Sequence, residues 1–166
     1  MAYPHGRVET AIQDLVKAFK GLTRAKGYRF TTKLVSRHLR DLDDLDASDV
    51  PAIFIIRPRG DSEQLTYIDS GIGGGYMSEV MLQAIGFVRH DGRNPDAAAL
   101  ASLAEAFLSD IRVLHLKDPR FGSAVIQDST LLNGAQNDAA FDNEGAAVVQ
   151  PFRIRVAWDI RGTNLP

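Results

Sequence analysis

The sequence predicts an α+β fold: two amphipathic helices packed on one face of a mostly antiparallel mixed sheet, with a long loop. Three observations support it. Two stretches, Val8 to Leu22 and Leu100 to Leu114, repeat apolar residues at helical spacing. Between and after them lie apolar runs of strand length. The last run, Pro151 to Ile160, alternates: Phe152, Ile154, Val156, Trp158 and Ile160 lie between Arg153, Arg155, Ala157 and Asp159. That period of two gives one apolar and one mostly charged face. Two helices over one face of such a sheet bury both kinds of apolar surface.

The first helix is expected from Arg7 to Leu22. Val8, Ile12, Leu15, Val16, Phe19 and Leu22 form its stripe, with Gln13, Asp14, Lys17 and Lys20 between them. Gly21 and Gly27 mark its end or the turn after it. Tyr28 to Leu39 reads as a strand, from Thr31, Thr32, Val35 and the alternation Leu34, Ser36, His38. Arg40 to Asp49, acidic and leucine-spaced, reads as a short helical turn or a loop. Pro51 to Ile56 is a strand that begins at a proline, where the ladder does not need the missing N–H. Its unbroken apolar run predicts burial on both faces. Arg57-Pro58-Arg59-Gly60-Asp61 then turns the chain, and Leu65 to Ser70 is a small strand.

Met77 to His90 is a long strand. Val80, Leu82, Ala84 and Val88 share one parity; Met81, Ile85 and Phe87 share the other. Gly86 marks a bulge or a close backbone approach. After the turn at His90 to Pro95, Asn94 reads as the N-cap, Pro95 as the first helical residue and Asp96 as a complement to the helix dipole. Leu100, Leu103, Phe107, Ile111 and Leu114 then align, widened by Ala104 and Leu108, in a helix from Pro95 to about Leu116. His115 near its C-terminus is placed where an imidazolium is favourable. Lys117-Asp-Pro-Arg-Phe-Gly ends the helix, and Ala124 to Leu132 is a strand. Asn133 to Glu144 is polar, bracketed by Gly134 and Gly145, and reads as part of a loop over about 133–147 that binds something or stays mobile. The 166 residues read as a single domain over 1–166, with flexible termini at about 1–6 and 162–166.

The formal net charge is −2, from 19 basic and 21 acidic side chains, which argues against a dedicated nucleic-acid binder. The absence of cysteine excludes disulfides, thiolate metal sites and cysteine nucleophiles. No apolar run reaches the ~20 residues of a membrane helix, and the first residues do not resemble a signal peptide.

Motif chemistry is sparse. Gly71-Ile-Gly-Gly-Gly-Tyr lacks the Lys-Ser/Thr pair of a phosphate loop, and a strand rather than a helix follows it. His5, His38, His90 and His115 form no ligand pair, so no metal and no cofactor is expected. There is no GxSxG, and the acidic run Asp41, Asp43, Asp44, Asp46, Asp49 lacks calcium-loop spacing. No residue is expected to be catalytic. Arg153, Arg155 and Arg161 share the polar side of the last strand; this is either an interface or docking face, or a solvated face with paired charges. Trp158 is expected in the core with its indole N–H bonded.

The order of elements resembles the tail terminator and tail-completion proteins of long-tailed bacteriophages. The features that carry the resemblance are the helix Val8 to Leu22, the pair Gly27-Tyr28, the strand with Val35-Ser36-Arg37, and the strand Val50-Pro51-Ala52-Ile53-Phe54-Ile55. The long strand Glu79 to Arg89, the helix ending Phe107-Leu108-Ser109-Asp110-Ile111, Asp118-Pro-Arg-Phe-Gly and the last strand complete the series. The resemblance spans nearly the whole chain and transfers no individual binding residue. It implies a virion structural protein, assembled in the host cytoplasm, with no enzymatic activity. Its partners would be further copies of the chain in a hexameric ring, the major tail tube protein, and a head–tail connector or neck protein. DNA would pass through the lumen without sequence-specific binding, and no membrane is involved. The ring stops tube polymerisation and offers a head-joining surface. Arg153, Arg155, Arg161, Asn133, Gln136, Asn137 and Asp138 are the interface residues expected from their polar strand and loop. The alternatives are another connector (a head-closure or adaptor subunit), or a small hydrolase or ligand-binding domain using the Gly71 loop.

Overall fold

The computed structural model describes residues 6–40, 44–58, 60, 63–68, 75–91, 95–142 and 145–159; of the side chains at 63, 65, 67–68, 75, 136–142 and 158–159 it describes none. Helix α1 (Arg7–Lys20) forms where the apolar stripe predicts it. It buries Val8, Ala11, Ile12, Leu15 and Phe19, and it stops at Gly21, whose N–H bonds back to Ala18 and Phe19. A 3-10 turn, Arg24–Lys26, follows and ends at Gly27 in the left-handed region, φ 86°.

Strand β1 (Leu34–Ser36) is much shorter than the expected Tyr28 to Leu39. The preceding residues spend their backbone groups elsewhere. The Phe30 N–H donates to the Asp110 carboxylate at 2.9 Å, Thr32 N–H to Leu22 O, and Lys33 N–H to Pro51 O. Thr32 Oγ1 also donates to Phe19 O and Leu22 O. The Phe30 bond ties the segment to α2 and the Thr32 bonds tie it to the end of α1, so only Lys33 reaches the chain entering β2.

A 3-10 turn at Ala47–Asp49 leads into β2 (Ala52–Ile56), which is buried on both faces, as its composition requires. Strands β3 (Glu63–Ile68) and β4 (Gly75–Arg89) follow, and then α2 (Ala97–Lys117). The helix begins two residues later than expected. Its N-cap is Asp96, whose carboxylate accepts from Ala99 N–H at 2.7 Å. Asp96 thus replaces Asn94 in that role, and Asn94 itself lies outside the described residues. A carboxylate both accepts the orphan N–H and meets the positive helix end, so it serves well here.

The chain ends with β5 (Ile126–Leu131), β6 (Gln136–Asp142) and β7 (Gly145–Asp159). The loop expected over about 133–147 is therefore largely strand: β6 pairs antiparallel with the start of β7. Asn, Asp and Ala have poor strand propensity, and the ladder with an apolar neighbour overrides it.

The sheet follows the path β1-β2-β4-β7-β5, with β3 also on β4 and β6 also on β7. β4 and β7 pair antiparallel along their whole length, from Gly75↔Asp159 to Arg89↔Gly145. β1 and β2 run parallel; the other pairs are antiparallel. Both helices pack on one face, on Ile53, Ile55, Val80, Leu82, Ala84, Val148, Phe152, Ile154 and Val156. On the other face Ala52, Phe54, Phe87 and Ala147 gather under Leu45 in a second, smaller cluster.

Gly86 is a close approach, not a bulge, since its register is unbroken. A β-carbon there would lie 2.6 Å from Phe107 Cε1 and 2.9 Å from Val148 Cγ2. The turn after α2 is built by Asp118, whose carboxylate accepts from Arg120 N–H and Gly122 N–H. It drives Phe121 into the left-handed region, φ 54°, at a cost of about 1–3 kcal/mol. The Phe121 ring then packs against Phe19, Phe152 and His115, with centroids at 6.0, 6.3 and 5.4 Å. Such pairs contribute about 0.5–1.5 kcal/mol each beyond area burial, enough to offset the strain.

His115 is not the cation its helix position suggested. It is buried against Phe121 and Phe152, with Nε2 3.3 Å from Ser129 Oγ. Desolvation holds its pKa below the ordinary 6.5, outweighing the opposite effect of Ser129.

Two outcomes are expected. Gly86→Ala forces Phe107 or Val148 to move and destabilises the fold by about 1–3 kcal/mol in urea unfolding. Second, the neutral His115 imidazole is favoured by folding, so its folded pKa lies below its unfolded one. Its contribution is complete above pH ~6.5 and is lost as pH falls from there to the folded pKa, because the unfolded chain then binds more protons. The stability difference between wild type and His115→Leu, measured from pH ~8 to pH ~5, should therefore shift against wild type below pH ~6.5.

Candidate functional site

The face of the sheet opposite the helices holds the last strand's arginines. Alternation along β7 sends Phe152, Ile154 and Val156 to the helices, and Arg153 and Arg155 the other way. Arg155 sits in register with Glu79 of β4 on one side and Asp128 of β5 on the other; Arg153 pairs with Met81 and Thr130. Glu79 is shared between the two. Arg155 Nε donates to Glu79 Oε1 at 2.8 Å, and Arg153 Nη1 donates to Glu79 Oε2 at 3.2 Å. Arg155 Nη1 reaches Asp128 Oδ2 at 3.3 Å.

The four side chains are part-exposed, from 25% for Glu79 to 48% for Asp128. Arg155 is held above its already high pKa, first by its hydrogen bond to Glu79 and then by the Asp128 charge. Two atoms of the network, Arg153 Nε and Asp128 Oδ1, are buried and bond nothing among the described residues. Their burial makes them an internal desolvation cost of the network. Beside them Met81 is 36% exposed, and Tyr76, at the end of the ladder, is 39% exposed.

The sequence-predicted residues are only partly brought together. Arg153 and Arg155 share one face, as their spacing requires. Asn133 is exposed in the bend between β5 and β6, next to Leu132, whose N–H donates to Pro151 O. Gln136, Asn137 and Asp138 lie on β6, in register with Val149, Val148 and Ala147. Arg161 lies outside the described residues, as does the loop 71–74; the Trp158 side chain is also undescribed, though its backbone pairs with Tyr76. Sequence reading missed Glu79 and Asp128. The signal for Glu79 was its parity, shared with Met81 on the side of β4 that carries no core residue there.

The arrangement suits recognition more than bond-making. Its groups are ion-paired acceptors and donors along the ladder, and among the described residues of this face no nucleophile stands beside a base. Among the described residues no cluster of three His, Asp or Glu side chains is placed to hold a metal ion, and no helix is long and apolar enough to cross a membrane.

No protein-family profile matches the chain, and no curated protein matches its sequence. Among solved structures, one similar chain comes from the "virion of native gene transfer agent (GTA) particle". It has a TM-score of 0.38 and 11% identity, and the match covers 89% of this chain and 91% of that one.

Glu79→Gln should leave both guanidinium groups short of their shared counter-charge. The variant is expected to melt below wild type at low ionic strength. The gap should narrow as salt is raised to about 1 M, where the Debye length is about 3 Å. Thermal melts across a salt series check this.

Proposed function

We propose that this chain is a virion structural protein, a tail terminator subunit that forms a ring on the head-proximal end of a phage-type tail tube. The ring ends tube polymerisation and presents the joining surface for the neck. The observation that carries the reading is the division of the sheet. Both α-helices cover one face, and the other carries, beside a small apolar cluster, a part-exposed charged ladder of Arg153, Arg155, Glu79 and Asp128. A protein that acts by docking needs such a face, and an enzyme of this size would need a pocket with convergent reactive groups instead. The element order set out above, which resembles that of tail terminator and tail-completion proteins, supports the assignment.

In this reading Arg153, Arg155 and Asn133, with the β6 backbone at Gln136 to Asp138, contact neighbouring copies or the tube; Arg161 extends the same polar series in sequence. A ring of heterologous contacts satisfies each copy's two patches and leaves two unlike rims, one for the tube and one for the neck. The overall charge of −2 leaves DNA free to pass without adhesion.

The test is reconstitution. Tube protein polymerised with this protein present should give tubes bearing a ring at one end in negative stain, and elongation should cease. Arg153→Ala with Arg155→Ala should weaken capping by about tenfold, the effect of about 1.4 kcal/mol at the interface. Tubes that elongate unchanged in the presence of folded protein would exclude the assignment.

A further inference from the structure

On the helix side of the molecule, four segments enclose a cleft of about 510 Å³ that takes no part in the charged ladder. The turn after α1 supplies Arg24 and Arg29, and the end of β4 supplies Arg89, His90 and Asp91. Its floor is apolar, made by Phe30, Val50, Pro51 and Leu103. Three arginines and one aspartate make the lining formally basic, on a chain whose formal net charge is −2. A local basic excess attracts anions, and guanidinium groups favour carboxylate or phosphate.

Arg24 and Phe30 of the lining are held in place. Arg24 Nε donates to Arg29 O at 2.9 Å, and Arg24 N–H donates to Thr31 Oγ1 at 3.0 Å. Phe30 is fixed by the Asp110 carboxylate on its N–H and by an edge-on contact with Phe107, centroids 5.1 Å apart. Arg24 and Arg29 are nonetheless exposed, so their free guanidinium nitrogens face an incoming group. Arg24 and Phe30 therefore need little ordering on binding, which favours affinity.

We infer that this cleft receives an acidic peptide segment of a partner protein, seating one or two carboxylates on Arg24 and Arg29 and an apolar side chain on the Phe30–Leu103 floor. A nucleic-acid backbone fits it less well. The wall at Ala47 to Val50 is flanked by Asp44, Asp46 and Asp49, which repel an extended polyanion but not a short segment with two charges. The concave apolar floor also offers a phosphodiester chain nothing to bury. The terminator reading would make the partner another virion protein, but the cleft's chemistry does not depend on it.

The test uses the full chain and a fluorescein-labelled peptide, Gly-Leu-Glu-Pro-Glu-Leu-Gly. Saturable binding by polarisation is expected, with amide shifts concentrated at Arg24, Arg29, Phe30 and Leu103. Arg29→Glu should weaken binding at least tenfold, and so should a peptide with Gln for Glu; both arginine sites are exposed, so Arg24→Glu gives a second, independent variant if the first melts early. Duplex DNA should not displace the peptide. Absence of saturable binding, shifts remote from the cleft, insensitivity to both arginine variants, or displacement by DNA would each overturn the inference. None of these results bears on tube capping, so the two proposals fail separately.

Discussion

Everything in this fold depends on one antiparallel pairing, the fifteen-residue ladder between β4 and β7. A one-residue slip of β7 along β4 would exchange the two faces of β7. Phe152, Ile154 and Val156 would turn to the open side, and Arg153 and Arg155 would be driven beneath the helices. Burying those charges without water is far more costly than any gain in pairing, so the register is held from both sides. The ladder also sets the edges. β2 and β3 divide the outer side of β4 between them, and β5 and β6 divide that of β7.

The helices are fastened to this frame by buried polar groups as well as by apolar contact. Gln150 lies on the helix-facing side of β7 yet is nearly fully buried. Its amide donates to Leu132 O and Pro151 O and accepts from Arg112 Nε of α2. Ser123 donates to Asp14 of α1 at 2.6 Å and accepts from the backbone of Val125 and Ile126. Asp110 of α2 holds the Phe30 backbone. Hydrogen bonds to charged groups contribute about 1.5–3 kcal/mol each, and their loss would strand buried partners. They fix where the helices sit along the sheet, which apolar contact alone specifies loosely.

The division of labour between the two faces follows. The helix side carries the main core, with the basic cleft at the end where β4 turns toward α2. The open side carries a small apolar cluster and part-exposed charges paired within the subunit. Paired charges of this kind contribute more to choosing a partner and an orientation than to affinity. Such a surface fits a molecule whose work is to be placed correctly among others.

Much of this was legible in the sequence. The apolar stripe of α1, the two-sided burial of β2 and the alternation of Phe152 to Val156 against the arginines were all fixed by local periodicity, since the helical and strand periods are properties of the backbone itself. The turn at Asp118 was legible too. The tertiary structure decided the rest. Tyr28 to Lys33 has strand composition, but Asp110, Leu22 and Pro51, distant in sequence, claim its hydrogen bonds. Asn137 and Asp138 have loop composition, but β7 lends them a ladder. His115 has the position of a helix-end cation, but Phe121 and Phe152 dry its surroundings. Glu79 and Asp128 gave no local sign of sharing Arg155. Periodicity records which way a side chain points, whereas hydrogen-bond partners, desolvation and shared counter-charges arise only when segments far apart in the chain are brought together.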